Sequence, residues 1–115
     1  MPPRLRTDFW VAALRRRAED GGAYVSIPRR GAEEAGAIFI LVDRLDGRVD
    51  LYGPAPQTAF DDEGTADRLF SLLMDGETAA STQTRMDQEL RFDPDRWLVE
   101  IEDKDGRPFV ELAPD

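Results

Sequence analysis

Apolar positions fall first at helical and then at alternating spacing, and that change of period divides the chain. Leu5, Phe9, Trp10, Ala13 and Leu14 make an apolar face built on i, i+4 pairs. They predict a helix from Thr7 or Asp8, either of which can cap it, to Asp20. Gly21-Gly22 end it where a C-cap glycine belongs. Ala23 to Ile27 alternates and predicts a strand closed by Pro28. Ile38 to Val42 is an unbroken apolar run, the pattern of a central strand buried on both faces. Asp46-Gly47 is a hairpin turn into a strand over Val49–Tyr52, which Gly53-Pro54-Ala55-Pro56 stops.

Residues 60–65 read as an acidic loop. Arg68 to Met74 fits a short helix through Leu69, Phe70 and Leu73, or a strand through Phe70, Leu72 and Met74. Asp75-Gly76 follows as a turn, which favours the strand. Ala79, Gln83, Met86 and Leu90 predict a second helix over about 77–90 with a thin apolar stripe. From Trp97 to Glu102 the chain alternates, with Trp97, Val99 and Ile101 on one face and Leu98, Glu100 and Glu102 on the other. Asp105-Gly106 then predicts a turn into an edge strand over 108–112, opened by Pro108.

The predicted order is α-β-β-β-(β)-α-β-β. Short turns join antiparallel neighbours, so the expectation is one α+β domain over 1–115. It has an antiparallel sheet of about 5–6 strands and two helices packed on one face. Residues 1–3 and 113–115 are expected to be mobile.

Composition narrows the chemistry. Among 115 residues there is no histidine and no cysteine. Histidine-based triads, Cys/His zinc sites, thiolate nucleophiles and disulfides are therefore excluded. What survives is carboxylate chemistry, anion binding by arginine, or no chemistry. No cofactor and no metal site is expected. The longest apolar run, Ala35 to Val42, is too short to span a membrane, and no apolar leader is visible, so a cytoplasmic protein is expected. The net charge of -9 is unevenly spread. Residues 1–30 hold seven arginines against three acids, while 31–115 hold eight basic residues against twenty-one acids.

Five places invite a functional reading. Arg15, Arg16 and Arg17 end the first helix, where cations also suit the helix dipole. Arg29-Arg30-Gly31, with Gly36, can cradle an anion, although Glu33 and Glu34 share that loop and a charged hairpin loop explains it too. Tyr52-Gly53-Pro54-Ala55-Pro56-Gln57 has the make-up of a recognition loop or of a plain strand stop. Pro94-Asp95 with Glu102-Asp103-Lys104 echoes metal-dependent nucleases, but Asp95 and Glu102 sit about 20 Å apart along one strand. Glu100 and Glu102 share a strand face about 7 Å apart, near enough for a carboxylate pair, and equally for an ordinary wet face. Phe9, Trp10 and Trp97 are best explained by core packing.

Several strings carry a resemblance together: Arg4 to Leu14, Arg29 to Phe39, Asp50 to Pro56, and Arg91 to Asp103 around Phe92-Asp93-Pro94 and Trp97. Across nearly the whole chain they resemble a family of short alphaproteobacterial proteins of unknown function. The resemblance implies a stand-alone cytoplasmic protein of this length and brings no activity, cofactor or catalytic residue. The charge split favours a non-catalytic module that binds a protein partner or a second copy of itself. Binding of nucleic acid or another polyanion through the same arginines comes second. A Mg²⁺-dependent hydrolase using Glu100, Glu102 and Asp95 or Asp103 comes third.

Overall fold

The computed structural model describes residues 5–56 and 68–114. Its elements are α1 (Thr7–Asp20), β1 (Tyr24–Arg29), β2 (Ile38–Asp43), β3 (Val49–Pro54), β4 (Phe70–Glu77), α2 (Ala79–Phe92) and β5 (Trp97–Glu102). The five strands form one sheet in the order β1-β5-β2-β3-β4. The class is α+β, and residues 68–74 fall mostly in a strand. The acidic loop expected at 60–65 lies outside the described residues, as do residues 1–3.

The sheet is mixed. β1 pairs antiparallel with β5, and β2–β3–β4 form an antiparallel meander, but β2 and β5 run parallel. β1 and β2, consecutive in the chain, are not neighbours, because β5 inserts between them. Residues 30–37 are therefore an arch over the start of β5 and not a hairpin loop.

The helices lie on opposite faces of the sheet, not on one. Ile38, Ile40 and Val42 pack with Val11, Leu14 and Ala18 of α1, whereas Phe39 packs with Met86 of α2. A strand apolar on both faces needs cover on both, and β2 receives it. Trp97, Val99 and Ile101 join the α1 side, and Leu98 joins the α2 side, as the alternation of β5 predicts.

α1 turns a different face inward from the one expected. Thr7, Val11, Leu14 and Ala18 are buried, while Leu5 and Phe9 are 48% and 56% exposed, and Ala12 and Ala13 are exposed. The helix carries two apolar stripes. The inner one wins because its branched and small side chains fit flat against the sheet. The start of α1 has no side-chain cap. Instead the arch carbonyls of Glu34 and Glu33 accept from the Thr7 and Asp8 amides, at 3.4 and 3.0 Å.

The strand expected at 108–112 does not form. Phe109 adopts a φ of 60°, which breaks an extended run. Residues 103–114 make a strap that touches the sheet edge through one parallel bridge, Phe70 to Leu112. Arg107 grips Asp103 with two nitrogens at 2.9 and 2.7 Å and also donates to the Gly21 carbonyl. Trp10 stacks on Phe70, with ring centroids 5.5 Å apart. Together Trp10, Phe109 and Val110 close the α1-side core beside the helix.

Candidate functional site

The anion-cradle loop turns out to be a splint. The Ala32 amide donates to the Asp95 carbonyl at 2.9 Å, and Trp97 Nε1 donates to the Ala32 carbonyl at 2.8 Å. Gly31 and Gly36 are required by close approach. A Cβ on either would stand 2.0 and 2.3 Å from the Asp95 oxygen. Arg29 donates to the Pro94 carbonyl at 2.8 Å, and Arg30 lies 4.8 Å over the Trp97 ring. The two guanidiniums and both glycines thus hold the arch on β5, and the Thr7 hydroxyl ties its far end through the Gly36 carbonyl at 3.1 Å.

Tyr52 belongs to the core at 7% exposure, where burial raises its phenol pKa. Gln57, last residue of that expected loop, lies outside the described residues. The carboxylates divide between the two ends of β5. Asp95 sits under the arch. Glu100 and Glu102 lie at the far end, with Asp43 directly beside Glu102 on β2. Burial raises the Glu100 pKa, and the charges of Glu102 and Asp43 add to the effect. Asp103 is clamped by Arg107, whose hydrogen bonds hold its carboxyl below the usual range. Among the described residues no three carboxylates are grouped to hold a metal ion. The surface near Glu100 and Glu102 is an acidic sheet face left open by α2, which packs on β3 and β4.

One residue the motifs missed is Arg68. Its Nη2 donates to the Leu5 carbonyl and the Thr7 hydroxyl at 3.1 and 3.0 Å, and its guanidinium lies 5.6 Å over Trp10. It borders two concavities. One, of about 420 Å³, has walls of Ala37, Ile38, Pro54, Leu69 and Phe70; the other, of about 380 Å³, runs between α1 and the strap past Arg17 and Phe109. A single arginine before a strand carries no spacing signal, so no motif could have marked it.

The three arginines of α1 separate. Arg15 pairs with Glu19 at 3.2 Å. Arg17 donates twice to the Phe109 carbonyl, at 3.0 and 2.9 Å. Arg16 is exposed and bonds to no described residue. It continues the outer stripe of Phe9, Ala12 and Ala13, with the Arg6 guanidinium 5.1 Å from the Phe9 ring. Phe9, expected in the core, is on the surface.

These features define a small α+β domain whose exposed chemistry is charge and apolar surface. The chain belongs to the family described as protein of unknown function, DUF1491, whose model matches residues 5–111. It is similar to Atu0922 of A. tumefaciens, solved in solution, at 38% identity and a TM-score of 0.84 over 97% of each chain. It is also similar to a DUF1491 family protein of Caulobacter crescentus CB15. The crystal structure of that protein matches at 37% identity and a TM-score of 0.79, covering 96% of this chain and 98% of that one. The NMR structure labelled in the same way gives 37% and 0.78, over 99% and 100%. No curated protein matches the chain.

Proposed function

We propose that this chain is a non-catalytic, cytoplasmic interaction module whose contact surface is the outer face of α1. The observation that carries the reading is the exposed apolar surface that Phe9, Ala12 and Ala13 make on that helix. Phe9, 56% exposed, sits in line with Ala12 and Ala13 on the side away from the core, and Leu5, 48% exposed, lies just ahead of the helix. Contiguous exposed apolar surface marks a contact site. Two observations speak for it against the alternatives. The arginines that would greet a polyanion have other work: Arg17 and Arg29 hold backbone carbonyls, Arg30 stacks on Trp97, and Arg6 pairs with Asp8 at 3.2 Å. Of the carboxylates that would serve a hydrolase, Asp95 lies at the opposite end of β5 from Glu100 and Glu102, and Asp103 is held by Arg107. The acidic, cysteine-free composition suits a cytoplasmic setting.

The test is affinity capture from nuclease-treated lysate of the source organism, comparing the wild-type chain with Ala13→Glu. The reading expects a protein set that survives nuclease and is lost from the variant. The same set on the variant, or recovery that vanishes with nuclease, overturns it.

A further inference from the structure

We infer that the cleft beside the C-terminal half of α2 binds a small aliphatic carboxylate, held between the guanidiniums of Arg85 and Arg96 with its hydrocarbon chain on Phe39 and Leu73. The cleft lies on the α2 side of the sheet, away from the contact surface proposed on α1.

The cleft encloses about 300 Å³, with Phe39, Pro54, Leu73, Arg85, Glu89 and Arg96 among its walls. That volume is at the low end for ligand clefts, so the ligand is small. Arg85 and Glu89 stand about one turn apart on α2, and Arg96 comes off the link that leads into β5. Gly53 sets the apolar wall. A Cβ there would stand 2.7 Å from Leu73 and 2.9 Å from Phe39, so the bare strand lets these two side chains close over it.

The polar wall holds two cations on one acid. One oxygen of Glu89 accepts from Arg85 Nε at 2.9 Å, and the other accepts from Arg96 Nη1. The walls therefore keep one positive charge in excess. Arg96 Nε is buried and makes no hydrogen bond, and Asp93 stands 3.8 Å from it, outside the walls. The rings of Phe39 and Phe92 lie 5.4 and 5.3 Å from the Arg96 guanidinium and keep water from it. A cation this dry and only partly paired is stabilised by a further anion.

Arg85 uses only its Nε on Glu89, which leaves both terminal nitrogens to donate. A carboxylate set between Arg85 and Arg96 completes a square of alternating charge with Glu89. A guanidinium also matches a carboxylate with two parallel N–H donors. One excess charge suits a monoanion, whereas a phosphate dianion beside Glu89 would meet too few cations. Phe39, Pro54 and Leu73 offer no hydrogen-bonding side chain, so the rest of the ligand is hydrocarbon.

The test is a titration of the full chain with isovalerate, followed by the side-chain Nε–H signals of Arg85 and Arg96 and the amides of Phe39 and Leu73. Isovaleramide supplies the same chain without the charge, and inorganic phosphate supplies charge without the chain. The acid is expected to shift these signals to saturation, with a Kd on the order of 1 mM for so few atoms. Arg85→Gln, its fold checked by circular dichroism, should weaken binding about tenfold. Glu89→Gln removes the competing charge and should tighten binding about threefold. No saturable shift from isovalerate, or an equal response to isovaleramide or to phosphate, would overturn the inference. Unchanged binding in Arg85→Gln, or binding no tighter in Glu89→Gln, would overturn it as well.

Discussion

The arch at residues 30–37 and the outer face of α1 both pair arginine with small residues, yet the arch is satisfied and the helix face is not. In the arch, glycine backbone lies against the Asp95 carbonyl, Trp97 Nε1 is bonded to Ala32, and Arg30 covers the indole. On α1, Phe9 faces solvent and Arg16 bonds to no described residue. The same residue types serve as scaffold where the chain crosses its own backbone. They become available for contact where a helix has more apolar surface than the sheet can cover. Partnership, more than residue type, separates structure from candidate function here.

Changes on the scaffold side should move stability most. Gly31→Ala drives a Cβ into the Asp95 carbonyl and should cost about 3 kcal/mol in chemical denaturation. An equally stable variant would mean that the arch is not held against β5. Asp103→Asn removes the charge that Arg107 grips and should cost about 2 kcal/mol at neutral pH. Because the Asp103 pKa is depressed in the fold, its contribution is present above the ordinary Asp range and disappears as pH falls through the folded value. The cost of the variant should therefore vanish in acid; a cost that persists there would place the effect in packing. Arg30→Ala should lose about 0.5 kcal/mol from the Trp97 stack and leave any partner binding untouched. Binding lost with Arg30→Ala would return the arch to the list of contact surfaces.

An effect of the same small size has the opposite sign. Glu100 has its pKa raised by burial, with Glu102 and Asp43 adding to it. A raised acid favours the fold below its unfolded pKa and loses that contribution as pH rises through the folded value. Glu100→Gln should therefore stabilise the protein by about 0.5 kcal/mol near pH 7 and have no such effect in acid. Destabilisation at pH 7 would show that Glu100 has a partner worth keeping.

Much of this fold is legible one segment at a time. The Asp20 end of α1, the two-faced apolar run of β2 and the alternation of β5 follow from local spacing. Strand order does not. Nothing near Ile38 or Trp97 records that they pair in parallel, because parallel pairing joins segments far apart in the chain. The edge strand expected at 108–112 fails on one backbone angle, at Phe109, which alternation does not encode. The inner face of α1 is ambiguous for a physical reason. The helix bears two apolar stripes, and choosing between them requires knowing the surface it meets. The site follows the same logic. Arg29, Arg30 and Gly31 look like a ligand loop until β5 is placed beneath them, and Phe9 looks like core until Val11 and Leu14 take that role.

The most direct test is the set of proteins captured from nuclease-treated lysate by the wild-type chain, by Ala13→Glu and by Arg30→Ala. A set held by the wild type and by Arg30→Ala and lost from Ala13→Glu is expected. The same set on Ala13→Glu, or a set lost with Arg30→Ala instead, would contradict the placement of the contact on the outer face of α1.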